Sequence, residues 1–243
     1  MLDLAGLSVL ITGAAGGIGE VMAERYAAAG ARLALVDVRS ADSIATRLGG
    51  KHVSFLTDLE SPEAIAATVA EIGESMGIDI LINNAGLGIV FPAAQTNVDA
   101  WDRTMRINLR APWLMGAAAL PYLKKSGRGR VINISSQAGV IAIEEHAAYG
   151  ASKAGLINLT KVMAIEWAQF GITANAIAPT VVETPMALVG WSGEKGEKAK
   201  RDIPVGRFAM PSEIAAAALY LSSLDAGIIN GAVLMADGGF SVK

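Results

Sequence analysis

A tyrosine and a lysine four residues apart, Tyr149 and Lys153, are the side chains of this chain best suited to proton transfer. Residues at positions i and i+4 share one face of a helix, so the phenol and the ammonium can point into the same pocket. A free phenol, with a pKa of about 10, is a poor base at neutral pH, but a nearby cation favours the phenolate. The pair predicts a general acid/base. A surface lysine beside a core tyrosine is the alternative.

Polar residues at predicted strand ends can complete such a site. Ser135 and Ser136 end one predicted strand, and Asn83 and Asn84 end another. Open α/β sheets bind ligands at the carboxyl ends of their strands, and a hydroxyl there can hydrogen-bond a substrate oxygen on which charge develops. Taken alone, each run is also explained by turn chemistry. Asn108 lies inside a long predicted helix, where Asn is mildly unfavourable and the helix can bend or hold water.

A glycine-rich run, Thr12 to Gly19, lies between the first predicted strand and the first predicted helix. Glycine permits a sharp turn, close approach of the backbone to a pyrophosphate and tight helix packing, and the phosphate would lie at the positive end of the helix dipole. The spacing of Gly13, Gly17 and Gly19 differs from G-x-G-x-x-G, and the absence of a following Gly-Lys-Ser/Thr excludes a Walker-type loop. A glycine turn without a ligand is the alternative.

Asp37, at the end of the second predicted strand, favours NAD over NADP. In a nucleotide-binding fold a carboxylate at this position accepts hydrogen bonds from the adenosine ribose and repels a 2′-phosphate. Arg39 is placed to meet a 2′-phosphate, but Ala15, where a second basic residue would help, is neutral. A solvated Asp at a strand end is the alternative interpretation.

An alternation of strands and helices positions these residues. Short apolar runs predict strands at 7–11, 32–37, 53–56, 78–83, 130–135, 172–177 and 232–235. Helical patterns are predicted at 18–29, 40–48, from 61 onward, 98–125, 147–170 and 211–222. This order predicts an α/β fold: a single-domain, doubly wound (Rossmann) parallel sheet over residues 1–243, with helices on both faces. Residues 185–202 are either a mobile substrate lid or a plain surface helix.

Composition excludes several other classes of protein. Hydrophobic residues make up 52% of the chain and charged residues 18%, which argues against disorder. A net charge of −3 does not favour nucleic acid. The chain has no cysteine and two histidines, so we expect no disulfide, thiolate nucleophile or metal site. Residues 1–4 show no signal-peptide pattern, and no apolar stretch reaches the roughly 20 residues of a membrane span, so we expect a soluble, cytoplasmic protein.

The combined set of motifs resembles the classical short-chain dehydrogenase/reductase family over essentially the whole chain. The motifs are the glycine run, Asn83-Asn84-Ala85-Gly86, Ser136, Tyr149-x-x-x-Lys153 and Asp237-Gly238-Gly239. The resemblance implies that Tyr149 is the general acid/base. It implies that Lys153 lowers the pKa of Tyr149 and holds the nicotinamide ribose, that Ser136 orients the substrate oxygen, and that Asn108 holds a water in a proton relay.

The same resemblance implies a set of residues around the cofactor. In chain order these are Gly13, Gly16, Gly17, Ile18, Gly19, Asp37, Asp58, Leu59, Asn84, Ala85, Gly86, Tyr149, Lys153, Pro179, Val182 and Thr184. Asp58 would lie near the adenine, and Val182 and Thr184 near the nicotinamide. On the substrate side, Ser136, His146 and Tyr149 would face the bound molecule. The family's usual Pro-Gly is Pro179-Thr180 here, a departure that can reshape the substrate pocket.

Other residues resemble the xylulose reductase and polyol dehydrogenase branch of the family. They include Ser135-Ser136-Gln137, His146, Pro179-Thr180-Val181-Val182 and Trp191. We therefore expect an NAD(H)-dependent oxidoreductase that interconverts a secondary alcohol and a ketone on a polyol or sugar, with NADP less favoured. A 3-oxoacyl thioester reductase and a non-catalytic NAD(H) sensor are the alternatives. The family implies a homo-oligomer, a tetramer or a dimer, with no partner beyond the small-molecule substrate.

Overall fold

The computed structural model describes residues 3–49 and 51–243, and in these residues seven parallel strands form one sheet. The strands are β1 (Ser8–Thr12), β2 (Arg32–Asp37), β3 (Val53–Leu56), β4 (Ile80–Asn83), β5 (Arg130–Ile134), β6 (Thr173–Pro179) and β7 (Val233–Ala236). Their order across the sheet is β3-β2-β1-β4-β5-β6-β7. The chain winds outward from β1 in both directions, which confirms the doubly wound α/β fold. Residues 1 and 2, part of the signal-peptide argument, lie outside the described residues.

Helices cover both faces of the sheet. They are α1 (Gly17–Ala28), α2 (Asp42–Leu48), α3 (Pro62–Ser75), α4 (Val98–Met105), α5 (Ala111–Ser126), α6 (Ala147–Trp167), α7 (Pro185–Gly190), α8 (Gly193–Asp202) and α9 (Pro211–Ser222). One core cluster includes buried residues of α1, α2 and α9, and a second includes buried residues of α3, α5 and α6. The sheet therefore lies between two helical layers.

The apolar character of the central strands follows from this arrangement. In β1, Val9 and Ile11 belong to the core on the α1 side, whereas Leu10 belongs to the core on the α3 side. Successive side chains of a strand point to opposite faces, so a strand buried on both faces needs apolar residues at every position. β1, β4, β5 and β6 are buried throughout, whereas β3 and β7 at the two edges are partly exposed.

The long helical region predicted over residues 98–125 is present without a break, but the type of helix changes in its middle. α4 and α5 are joined by a π-helical segment, Arg106–Arg110, with Asn108 at its centre. At its end the backbone N–H of Ala111 bonds to the carbonyl of Arg106, five residues back. Such π turns are rare and occur often at functional sites. Asn108, whose helix propensity is poor, thus lies in a segment of irregular helix.

Residues 185–202 form two short helices, α7 and α8, rather than an unstructured loop. The Trp191 ring that follows α7 meets the Phe208 ring edge to face, with centroids 6.2 Å apart. This contact joins residues 185–202 to the rest of the protein. That these residues move as a lid stays a prediction. In residues 3–49 and 51–243, no helix combines the length and the apolar character needed to cross a membrane.

Candidate active site

The glycine run forms a tight turn from β1 into α1, and its backbone leaves no room for a Cβ at Gly13 or Gly19. Gly13 and Gly17 have φ values of +66° and +57°, a region that favours glycine. A Cβ on Gly19 would lie 2.0 Å from the Gly13 carbonyl oxygen, and one on Gly13 would lie 2.8 Å from the Ala85 Cα. Gly16 provides no side-chain cap for α1. The turn thus brings bare backbone to the positive end of a helix, an arrangement suited to a phosphate.

Asn84 and Thr12 fasten this turn to the end of β4. The Thr12 hydroxyl accepts hydrogen bonds from the backbone N–H groups of Asn84 (3.0 Å) and Ala85 (3.1 Å). The Asn84 side-chain amide donates to the carbonyl oxygens of Thr12 (3.0 Å) and Gly13 (3.1 Å). The Asn84 side chain is therefore used to hold the turn, and the backbone of residues 84–86 lies beside it.

Asp37 lies against the turn, as its predicted role requires. Its carboxylate accepts the backbone N–H groups of Ala15 (2.9 Å) and Arg39 (3.0 Å), and the residue is 8% exposed. The Arg39 side chain is largely exposed and reaches over the turn, where Nη2 donates to the Ala15 carbonyl at 3.2 Å. A carboxylate and a guanidinium thus both border the place where an adenosine ribose would lie.

The segment after β3 places Asp58 and Leu59 at the same edge. Asp58 is exposed, and its carboxylate accepts the backbone N–H of Glu60 at 2.8 Å, while Leu59 is buried. The Glu60 carboxylate forms ion pairs of 3.0 Å with both Arg103 and Arg106. This end of the site is therefore tied to α4 and the π-helical segment.

Tyr149, Lys153 and Ser136 meet at the carboxyl ends of the central strands. The Lys153 ammonium donates a 2.8 Å hydrogen bond to the Ile134 carbonyl and lies 5.8 Å from the centroid of the Tyr149 ring. Burial lowers the pKa of Lys153 to about 8. Glycine leaves room for it, since a Cβ on Gly86 would lie 3.3 Å from Nζ. The two side chains predicted to share a pocket are brought together.

The pKa of Tyr149 does not follow the expectation that Lys153 lowers it. Tyr149 is half-buried, and removal of its phenol from water raises the pKa above its ordinary value, while the neighbouring Ser136 hydroxyl partly offsets this effect. Desolvation disfavours a phenolate, and it is the largest influence on the pKa of Tyr149. Tyr149 is thus placed as a proton donor, and a nearby cation favours its action as a base.

Asn108 clamps the segment that follows β4. Its side-chain oxygen accepts the Leu87 N–H at 2.8 Å, and its amide donates to the Leu87 carbonyl (2.9 Å) and to the Ser152 hydroxyl (3.1 Å). The Ser152 hydroxyl in turn donates to the Tyr149 carbonyl at 2.7 Å. Asn108 therefore joins this segment to the start of α6. Its part in a proton relay stays a prediction.

The substrate side is formed by the segment between β5 and α6. The His146 ring meets the Tyr149 ring edge to face at 5.8 Å, and its Nδ1 lies 2.5 Å from the Glu144 carbonyl oxygen. Glu145 has a φ of +66°, and its carbonyl accepts the Phe91 N–H at 2.9 Å. A cavity of about 460 Å³ adjoins this segment, but Tyr149 and Ser136 are not among its lining residues. It is therefore a neighbouring cleft rather than the reaction pocket.

The loop after β6 returns to the glycine turn. Val182 pairs with Ala209, and Pro179 ends β6. The Thr184 hydroxyl accepts the Ala187 N–H at 3.2 Å and caps α7. A Cβ on Gly17 would lie 3.4 Å from the Thr184 methyl group, so this loop packs on the start of α1. Thr184, predicted to lie at the nicotinamide end, is therefore close to the predicted phosphate turn.

Sequence reasoning missed two side chains that hold the site together, Thr12 and Ser152. Thr12 is buried and bonds the segment after β4, and Ser152 is buried between Asn108 and the backbone of α6. The available signal was a buried polar residue in an apolar element: Thr12 in an apolar strand and Ser152 in an apolar helix.

This chain is similar to known proteins over nearly its whole length. A family model described as "Enoyl-(Acyl carrier protein) reductase" matches residues 13–241. A D-threitol dehydrogenase of Mycolicibacterium smegmatis is 42% identical over 99% of this chain and 95% of its own length. An NAD-dependent glycerol dehydrogenase of Listeria innocua is 40% identical over 96% of this chain and 93% of its own. The description of the family model assigns no substrate to this chain.

A solved structure supports the same classification. It is that of a putative NAD(P)-dependent gluconate 5-dehydrogenase from Beutenbergia cavernae with bound NADP, which is 32% identical, covers 99% of both chains and has a TM-score of 0.94. The fold and the comparisons define an oxidoreductase that interconverts an alcohol and a ketone. The chain belongs to the short-chain dehydrogenase/reductase family.

Proposed function

We propose that this protein is an NAD(H)-dependent dehydrogenase of a polyol or sugar, with Tyr149 as its general acid/base. The observation that carries the proposal is the meeting of the Tyr149 phenol, the Ser136 hydroxyl and the buried Lys153 ammonium at the carboxyl edge of the sheet. A hydroxyl beside a phenol can hold the oxygen of an alcohol, and a phenol can exchange a proton with that oxygen.

The residues present fit a nicotinamide dinucleotide. The bare turn at Gly13 and Gly19 admits no Cβ, which leaves backbone available to a pyrophosphate. Asp37, beside the turn, would face the ribose, and Asp58 and Leu59 would border the adenine. Asn84 holds the turn through its hydrogen bond to the Thr12 carbonyl. Gly16 and Ile18 would border the pyrophosphate. Ala85 and Gly86 would line the ribose side. The nicotinamide end would be bordered by Pro179, Val182 and Thr184. When bound, the nicotinamide accepts or supplies the hydride.

The chain's own residues then move the proton. In the oxidative direction the Tyr149 phenolate accepts the proton of the substrate hydroxyl, and the Ser136 hydroxyl stabilises the oxygen that becomes a carbonyl. Because burial alone works against the phenolate, the positive charge of Lys153 is required beside it. Asn108 fixes the segment at Leu87 and would hold a water that passes the proton onward through Lys153. His146, next to Tyr149, contacts the far end of the substrate.

Asp37 supports NAD as the cofactor. Its carboxylate is buried beside the turn and is already engaged by two backbone N–H groups, so its negative charge is fixed where a 2′-phosphate would lie. The Asp37 carboxylate and a 2′-phosphate are both negative, and like charges repel strongly in a desolvated site. The exposed Arg39 favours NADP, but its guanidinium lies 3.8 Å from the buried Asp37 carboxylate and is partly neutralised by it.

The polyol substrate is supported by the relatives named for D-threitol and glycerol. A second candidate, a 3-oxoacyl thioester reductase, is favoured only by the acyl-carrier description of the family model. A panel of threitol, glycerol, 2,3-butanediol, gluconate and a 3-hydroxyacyl thioester, each assayed with NAD and with NADP at the absorbance band of the reduced nicotinamide, separates the two. We expect turnover of polyols with NAD. Turnover of the thioester alone, with NADP, would overturn the proposal.

A homo-oligomer, a dimer or a tetramer, is the expected assembly. Exposed apolar side chains on α5 and α6 support it, namely Trp113, Val162 and Ile165. Sedimentation velocity of the purified protein measures the state directly. The lid motion of residues 185–202 and the cytoplasmic location stay predictions from the sequence.

A further inference from the structure

Arg130 holds a buried guanidinium with one edge unpaired in the part of the chain that the structure describes. The residue begins β5 at the amino-terminal edge of the sheet, opposite the edge where Tyr149 lies, and it is 5% exposed. Its Nη1 donates to the carbonyls of Arg128 (3.1 Å) and Gly129 (3.0 Å). Its buried Nε has no hydrogen-bond partner. The unpaired Nε side of a guanidinium can present two parallel N–H groups to a phosphate or a carboxylate.

No carboxylate among residues 3–49 and 51–243 forms an ion pair with Arg130. Burial lowers the pKa of Arg130, and the nearby Arg128, which is also positive, lowers it further. The Asp79 carboxylate, on the segment that leads into β4, is already used by the Ser8 N–H and the Ser126 hydroxyl. An unbalanced buried charge destabilises the folded state, so this position favours a bound anion.

A second unpaired group, the Thr173 hydroxyl, lies on the neighbouring strand. Thr173 begins β6, is the register partner of Arg130 and is 7% exposed. Its buried hydroxyl likewise has no partner among the described residues. Ile132 and Ile177, at alternate positions of the same two strands, belong to the core on the α9 side, so Arg130 and Thr173 face that side together. Neighbouring strands lie about 4.8 Å apart, so the two groups border one small space.

The turn after α9 covers the guanidinium and leaves it close to solvent. A Cβ on Gly227 would lie 4.0 Å from Nη2 of Arg130. The Leu224 carbonyl of this turn accepts the Gly227 N–H at 3.0 Å and is thus already used. Asp225 lies in the same turn, but it is exposed and forms no ion pair with Arg130. Because Leu224 and Gly227 are also exposed, a small ion can reach this space from solvent.

We propose that Arg130 and Thr173 form a binding site for a small tetrahedral oxyanion, such as inorganic phosphate, at the amino-terminal edge of the sheet. Two oxygens of the anion accept the Nε and Nη2 hydrogens of Arg130, and a third accepts the Thr173 hydroxyl. The bound anion joins the starts of β5 and β6 beneath the turn after α9. The site lies at the opposite edge of the sheet from the glycine turn and does not depend on the proposed dehydrogenase activity.

The test is the rise in melting temperature that sodium phosphate causes relative to sodium chloride of equal ionic strength. For a dissociation constant of about 1 mM, phosphate at about 10 mM should raise the melting temperature of wild type by about 4 °C. Arg130→Met keeps an unbranched side chain but removes the guanidinium, and it should abolish this rise. Thr173→Val keeps the shape but removes the hydroxyl. It should weaken phosphate binding about tenfold and leave a rise of about 1 °C.

Arg32→Met is the matched control. Arg32 begins β2 at the same edge of the sheet, and its guanidinium is already hydrogen-bonded to the Ser8 hydroxyl (2.8 Å) and the Met76 carbonyl (3.0 Å). This variant should keep the full rise with phosphate, whatever its own melting temperature. Phosphate that binds at the glycine turn, or that stabilises proteins by exclusion from their surface, acts on all four proteins alike. The difference between wild type and Arg130→Met therefore isolates the proposed site.

A rise in wild type no larger than that in Arg130→Met overturns the oxyanion site. Should Arg130→Met fail to fold, Thr173→Val decides, and a rise equal to that of wild type overturns the site. Because the readout is thermal unfolding and not turnover, either result leaves the proposed dehydrogenase activity intact.

Discussion

The ammonium of Lys153 donates a 2.8 Å hydrogen bond to the main-chain carbonyl of Ile134, the last residue of β5. The contact joins the N-terminal part of α6 to the edge of the sheet where the strands end. It also fixes a cation in a buried place, and burial lowers its pKa to about 8. A lysine that is costly to charge is thus held where the proposed chemistry needs its charge.

Lys153→Met is expected to stabilise the fold near neutral pH while abolishing turnover. Because the folded-state pKa lies below the unfolded value, protonation favours the unfolded chain. Wild type therefore loses stability as pH falls from above about 10.5 through about 8, and below that the full penalty applies. After allowance for the lost hydrogen bond to Ile134, the free energy of unfolding of the variant should exceed that of wild type by about 2 kcal/mol at pH 7. Above pH ~10.5 the variant should have no such advantage. Urea unfolding at several pH values measures it. A stability difference that does not vary with pH would show that Lys153 is not strained by burial.

Gly19→Ala should abolish cofactor binding and destabilise the fold. The added Cβ would lie 2.0 Å from the Gly13 carbonyl oxygen and 2.8 Å from the Asn84 amide nitrogen, and a backbone atom cannot yield as a flexible side chain can. We expect the free energy of unfolding to fall by an amount on the order of 3 kcal/mol. Thermal unfolding and fluorescence titration with NADH are the measurements.

Gly190→Ala is the matched control, because nothing lies within 4 Å of a Cβ at that position and its φ is not positive. Gly190→Ala should leave both the melting temperature and the affinity for NADH near the wild-type values. Normal NADH binding by Gly19→Ala would mean that the glycine turn is not the phosphate site.

Asp37→Ser is expected to shift the cofactor preference toward NADP. The substitution removes the negative charge beside the turn but leaves a hydroxyl for the Ala15 and Arg39 N–H groups. The ratio of kcat/KM for NADP to that for NAD should rise about 100-fold, which corresponds to ~2.7 kcal/mol. In the Asp37→Ser background, Arg39→Ala should reverse much of the gain, because it removes the cation left to meet a phosphate. An unchanged ratio in Asp37→Ser would assign cofactor choice to other residues.

The sequence predicted the elements of the fold well because their signals are local. Strands buried on both faces need apolar residues at every position, and the runs containing Leu10, Val131 and Ala176 met that condition. The turn of Gly13 to Gly19 was predictable for the same reason, since its backbone conformation requires glycine within a few residues. Strand ends differed from prediction by a residue or two, because fraying at strand ends depends on neighbours in the sheet.

The parts that escaped prediction depend on contacts distant in the chain. The π turn around Asn108 accompanies its side-chain bonds to Leu87 and Ser152, which no helical periodicity records. The pKa of Tyr149 depends on how far its phenol is removed from water, and the i, i+4 spacing to Lys153 does not report burial. Residue types and spacing therefore predicted which groups meet, whereas their electrostatic balance required the three-dimensional structure.

The most direct test of the proposal is Tyr149→Phe, assayed with threitol and NAD beside a titration of NADH binding. The substitution removes one hydroxyl from a half-buried ring and keeps the ring's edge-to-face contact with His146. We predict that kcat falls at least 1000-fold, by the order of magnitude of a lost general acid/base, while the dissociation constant for NADH changes less than about threefold. A variant that binds NADH normally and retains a tenth or more of the wild-type kcat would contradict the role of Tyr149 and the mechanism built on it.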